Sequence, residues 1–155
     1  MISIGNPAPD FTLFSSDKEK TTLSSFRGEN IVLLFFPLAF TSTCTEELCS
    51  IRDNIEFYNK VNAKVLAISV DSHYTLARYK KDQGLNFTLL SDFNKEVSAT
   101  YGSLYEKFGY NMRGVSKRSA FVIDKEGIIR YTEVLDNAGE VPNFERITAV
   151  LRGLL

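Results

Sequence analysis

Six consecutive apolar residues, Ile31-Val32-Leu33-Leu34-Phe35-Phe36, run straight into Pro37. β-Branched and aromatic side chains without polar alternation imply a strand buried on both faces, and the proline, which has no N–H to offer a ladder, stops it. A second run, Lys64 to Val70, reads the same way. Between the two, Leu48, Ile51, Ile55 and Tyr58 recur at three- and four-residue steps, the stripe of an amphipathic helix. Strand, helix, strand is a crossover, and it points to a sheet packed under helices.

The remainder of the chain extends that pattern. Residues 72–84 read as helix, Phe87 to Leu90 as a short strand and 94–101 as a helical turn or two. Ser119–Ile123 and Ile128–Val134 flank the turn signal Asp124-Lys125-Glu126-Gly127, which predicts a hairpin. A closing helix begins at about Asn143. This order implies an α/β fold with a mixed central β-sheet covered by helices on both faces, compatible with a thioredoxin-like fold. With 44% hydrophobic and 24% charged side chains, and no repeat or linker, residues 1–155 read as a single domain.

A formal net charge of -1 supplies no positive field for nucleic acid or anionic lipid. No apolar stretch reaches the roughly 18 residues of a membrane span, and Met1 leads into polar Ser3, Asn6 and Asp10. The expectation is a soluble, cytoplasmic protein without nucleic-acid or membrane partners.

There are two cysteines, Cys44 and Cys49, too few for a secreted disulfide framework. Cys44 follows the strand 31–36 by a short loop and opens the amphipathic helix. Unpaired N–H groups and the helix dipole favour an anion there, and only a thiolate is a good nucleophile. At about 100° per residue Cys44 falls within the apolar stripe, so its sulfur faces the protein. Desolvation and the neighbouring Glu46 and Glu47 both oppose a negative charge, so a cation must be delivered from elsewhere in the fold.

Cys49 lies about 140° round the wheel, on a wet face with Arg52, Asp53, Glu56 and Lys60. In an intact helix the two Cα atoms are roughly 8 to 9 Å apart. A disulfide needs less than about 7 Å, so the first turn must unwind before they can bridge. Metal binding is a weak rival, because the spacing C-x4-C with a single histidine, His73, cannot complete the four ligands of a structural zinc site. His73 itself reads as a loop or helix-cap residue, Arg78-Tyr79-Lys80-Lys81 as a solvated helix face, and Glu46-Glu47, on residue type alone, as first-turn partners of the dipole.

The segment Pro37-Leu38-Ala39-Phe40-Thr41-Ser42-Thr43-Cys44 resembles the P-x-x-x-T-x-x-C signature of the peroxiredoxins. Gly5 to Phe11, Leu23 to Gly28 and Arg118 to Asp124 extend the resemblance along nearly the whole chain. It implies a thiol-dependent peroxidase in which Cys44 is the peroxidatic cysteine, Thr41 hydrogen-bonds the peroxide and Pro37 shields the thiolate. Arg118 would be the missing cation and Glu47 the carboxylate that orients it. The C-x4-C spacing is similar to the bacterioferritin comigratory protein-like subgroup, with Cys49 as resolving cysteine. The implied substrates are hydrogen peroxide and organic hydroperoxides, the implied reductant is thioredoxin or a similar dithiol, and the implied state is a monomer or homodimer in antioxidant defence. No cofactor or metal is needed.

Rival readings are weaker. A glutathione-peroxidase-like enzyme uses a tryptophan that this chain lacks, and a disulfide reductase of thioredoxin type needs C-x-x-C. A non-catalytic redox sensor or holdase on the same fold is the alternative from a different class, and it would not turn over peroxide rapidly.

Overall fold

A computed structural model describes residues 2–155. In chain order the elements are β1 (Thr12–Ser15), β2 (Lys20–Thr22), β3 (Asn30–Phe35), α1 (Ser42–Asp53), α2 (Ile55–Lys60), β4 (Ala63–Ser69), α3 (His73–Gln83), β5 (Thr88–Ser91), α4 (Glu96–Thr100), β6 (Leu104–Tyr105), β7 (Val115–Ser116), β8 (Ser119–Ile123), β9 (Ile129–Val134) and α5 (Phe144–Gly153). Seven strands form one sheet in the order β2-β1-β5-β4-β3-β8-β9, while β6 and β7 make a separate small ribbon. The sheet is mixed: β3 runs parallel to β4, with Val32 opposite Val65, and antiparallel to β8, with Leu33 opposite Phe121.

Every residue of β3 is buried, as its unbroken apolar run requires. Alternation then divides the core. Val32, Leu34 and Phe36 face α1, α3 and α5, meeting Leu48, Ile51, Tyr79, Ile147 and Leu151. Ile31, Leu33 and Phe35 face the other way, toward Leu23, Val97, Tyr101 and Phe121. Helices thus cover both faces, the second by the short α4 with a 3-10 turn at Leu23–Phe26.

Local chemistry ends the elements. Ser72 caps α3 by accepting from the Thr75 N–H at 3.2 Å, and Gly84 closes it at φ 61. Asn143 caps α5 in the same manner. In the β8–β9 turn one oxygen of Asp124 accepts from the N–H groups of Glu126 and Ile128 at 2.9 and 3.0 Å. Two departures from the sequence reading have a local physical reason. The helical stripe from Leu48 to Tyr58 is broken at Asn54, whose backbone leaves the helix (φ -111, ψ 18) while its side chain donates to Ser50 O at 2.9 Å. The β1–β2 hairpin carries no clear sequence signal because its strands are only four and three residues long and mostly exposed or half-buried at the sheet edge.

Candidate active site

The buried strand β3 ends where Pro37 begins a tight loop into α1, and this handover sets the position of Cys44. Ala39 N–H donates to Asp71 Oδ2 at 2.8 Å, the Thr41 hydroxyl donates back to Leu38 O at 2.7 Å, and Phe40 between them is held at φ 68. Thr41 is the N-cap residue of α1, and the helix's first internal bond runs from Thr45 N–H to Thr41 O. The N–H groups of Ser42, Thr43 and Cys44 precede that bond, so helix geometry gives them no acceptor four residues back. Cys44 sits in this first turn with 1% of its surface exposed, inside the apolar cluster that includes Leu48 and Phe36.

The cation demanded by that burial is Arg118, immediately before β8 and 74 residues from Cys44. Each nitrogen of its guanidinium has an acceptor. Nη2 lies 3.3 Å from Cys44 Sγ, Nη1 donates to Glu47 Oε1 at 2.7 Å, and Nε donates to Ala138 O at 3.0 Å. Burial opposes the charge on Arg118, but Cys44 and Glu47 outweigh it and hold the guanidinium above its ordinary value. Burial pushes the Glu47 carboxyl up to about 7 against the pull of Arg118, and its second oxygen, Oε2, has no partner among the described residues. Glu47 is therefore a buried partner of Arg118 from the second turn of α1, not the first-turn dipole residue its type implied.

A cavity of about 210 Å³ opens over the sulfur. Pro37, Thr41, Cys44 and Arg118 line it, joined by Phe108 and by the backbone around Ala138 and Gly139. Five of the six residues singled out in the sequence are thus brought together. The sixth, Cys49, is half-buried rather than on a wet face, because the C-terminal end of α3 packs alongside and sets Gln83 Oε1 3.7 Å from its sulfur. Both thiols are free and lie in one unbroken helix.

Residues 4–132 match the AhpC/TSA family. The chain is a peroxiredoxin. Alkyl hydroperoxide reductase E of Mycobacterium tuberculosis is 38% identical to this chain over 157 residues, covering 99% of each protein. Rat peroxiredoxin-2 is 37% identical over 143 residues, covering 86% of this chain and 70% of that one. Among solved structures, peroxidoxin BcpB from Mycobacterium tuberculosis superposes with a TM-score of 0.87 at 25% identity, covering 100% of this chain and 99% of its own. The BcpB likeness and the C-x4-C spacing fit the bacterioferritin comigratory protein-like subgroup. The fold is accordingly the thioredoxin-like fold of peroxiredoxins, and the activity that of a thiol-dependent peroxidase.

Sequence reasoning missed several contributors to the peroxiredoxin site. Phe108, Ala138 and Gly139 arrive from irregular segments with no periodic signal. Asp71 is an unremarkable acidic residue in a strand-to-helix loop until its bond to Ala39 N–H is seen. Tyr79, expected on a solvated face, is fully buried, and its hydroxyl lies 2.9 Å from that of Thr45 in α1. Burial pushes its phenol up to about 12 despite that hydrogen bond. The leucine at 76, three residues earlier, marks the apolar side of α3 that Tyr79 shares.

Proposed function

We propose that Cys44 is the peroxidatic cysteine, and that residues 1–155 act as one domain built around it. One observation carries the reading: a buried sulfur receives a guanidinium donor whose other nitrogens are tied to Glu47 and to Ala138 O. Such a donor cannot swing away, so it is preorganised for charge developing at the sulfur and at the peroxide. The Cys44 thiolate attacks the terminal oxygen of the peroxide. The S–O bond forms as the O–O bond breaks, and the departing alkoxide or hydroxide takes up a proton, leaving a sulfenic acid. The Thr41 hydroxyl already spends its hydrogen on Leu38 O. It therefore meets the peroxide as an acceptor, orienting the O–H, while Arg118 and the Cys44 N–H face the oxygens. Pro37 has no N–H and closes the rim with apolar surface.

Cys49 is the resolving cysteine in this reading. Its thiol condenses with the sulfenic acid, water leaves, and the Cys44–Cys49 disulfide is reduced by thioredoxin or a similar dithiol. Hydrogen peroxide and small organic hydroperoxides suit the cavity, and the protein works in the cytoplasm as a monomer or homodimer. Mass analysis after one equivalent of peroxide tests the scheme. The parent protein is expected to lose two hydrogens as a Cys44–Cys49 link. Cys49→Ser is expected to stop at the sulfenic acid, and Cys44→Ser to consume no peroxide. Full-rate cycling of Cys49→Ser with thioredoxin would remove Cys49 from the mechanism.

A further inference from the structure

Helix α1 is fastened unevenly to α3 and the segment that follows it. At its C-terminal end Arg52 Nη1 donates to Gln83 O at 2.5 Å, Asn86 Nδ2 donates to Arg52 O at 3.2 Å, and the Cys49 thiol lies against Gln83 Oε1. The N-terminal turns that carry Cys44 have, among the described residues, one side-chain hydrogen bond to α3, the 2.9 Å contact of the Thr45 and Tyr79 hydroxyls. The Tyr79 ring also receives Phe40, with centroids 4.9 Å apart. Phe40 is a non-glycine residue in the left-handed region, φ 68, a conformation that persists only where surrounding contacts impose it. Tyr79 contacts the Phe40 ring directly, and Asp71 holds the preceding residue through the Ala39 N–H. Tyr79 is thus one of the groups that hold this loop, and the one that also reaches the first turns of α1.

We infer that Tyr79 is a positioning residue that latches the first turns of α1 and so sets how fast oxidised Cys44 leaves its niche to meet Cys49. This rests on Cys49 being the resolving cysteine. Two fates compete for the sulfenic acid. Condensation with the Cys49 thiol forms the S–S bond and releases water. Attack on a second peroxide instead puts another oxygen on sulfur, giving a sulfinic acid and an alcohol or water. The first fate needs the helix turn to open and the second needs it to stay closed, so the latch decides the ratio. Arg52 and Gln83 hold the far end of α1 fixed, which keeps Cys49 where the released turn can find it.

Tyr79→Phe keeps the ring under Phe40 and Phe36 and removes only the hydroxyl. Thr45→Val removes the other half of the bond at a half-exposed position, away from the core. In each variant, amide exchange of residues 45–47, the first N–H groups bonded within α1, is expected to quicken about fivefold in the reduced protein, the weight of one ordinary hydrogen bond. The step from sulfenic acid to disulfide should quicken by a similar factor, with a matching fall in sulfinic acid at a given peroxide concentration. The double variant should go no further than either single one, since both remove the same bond. A general loosening of the fold would slow the chemistry instead of speeding its second step. Unchanged exchange at 45–47 in both variants overturns the inference. If exchange quickens but the parent protein forms no Cys44–Cys49 disulfide, the latch stands and the role given to Cys49 falls.

Discussion

Two arginine–carboxylate pairs in this molecule close at the same distance, 2.7 Å, yet their carboxyls move in opposite directions. Arg118 and Glu47 are sealed in the core, with side chains 2% and 0% exposed. Arg130 and Asp124 stand at the β8–β9 turn, 45% and 8% exposed. Burial lifts Glu47 from 4.5 to about 7, because Arg118 satisfies only one of its oxygens. Burial also acts on Asp124, but there the Ile128 N–H, Arg130 and the Glu126 N–H outweigh it, and the carboxyl is held below its ordinary value. The number of donors and access to water, rather than the length of the ion pair, decide which carboxylate is comfortable with its charge. The surface pair shapes a turn. The buried pair holds a guanidinium against a sulfur at a cost in desolvation, as expected where positioning matters more than stability.

That contrast can be broken most decisively at the arginines. Arg118→Met is expected to slow sulfenic acid formation by about 10²–10³-fold, the range for losing one preorganised charge-stabilising donor, as read by stopped-flow peroxide consumption. Next comes a pH effect. Between pH 4.5 and about 7 the folded protein keeps a proton on Glu47 that the unfolded chain has released. This contribution to stability is complete below pH 4.5 and is lost as the pH rises through 7, a span worth up to about 3 kcal/mol. Denaturant titrations across that range should show the slope, and Glu47→Gln should remove it. For Asp124 the sign reverses: its contribution is present above its ordinary pKa and lost on acidification. Asp124→Ala should cost about 1–2 kcal/mol through the lost turn hydrogen bonds, visible as a lower Tm with peroxidase rate intact. The smallest effect belongs to Arg130→Met, about 0.5 kcal/mol or less for a partly exposed pair. A large loss of activity there would erase the distinction between the two pairs.

Which parts were legible in the sequence follows from where their information resides. Ile31–Phe36 and the Asp124–Gly127 turn announce themselves because the signal is local: an unbroken apolar run in one, an aspartate and glycine at fixed offsets in the other. The position of Cys44 at a helix start follows from the strand and loop before it, and its need for a cation from electrostatics alone. That Arg118 answers the need came from resemblance, since nothing in a chain marks which distant arginine will fold onto a given sulfur. The same limit hid Phe108, Asp71 and Tyr79, whose roles exist only once separate segments meet. The wet face assigned to Cys49 erred for a related reason. A helical wheel describes one helix, and it was α3 that covered that side. At Asn54 the apolar period continued across a real break, because the stripe records which way residues face and not whether the backbone bonds between them are intact.

The order of the sheet leaves β2 and β9 as its margins. One margin is only three residues long and carries Lys20. The other is covered at its start, where Gly5 N–H donates to Ile129 O and Ile129 N–H donates to Asn6 O, and beyond that it displays Arg130 and Glu133. Neither margin offers a long, flat, apolar row of free amides to a neighbouring molecule. Should α1 open as proposed and bare part of the core, these guarded borders are expected to keep crowded copies from zipping together strand to strand.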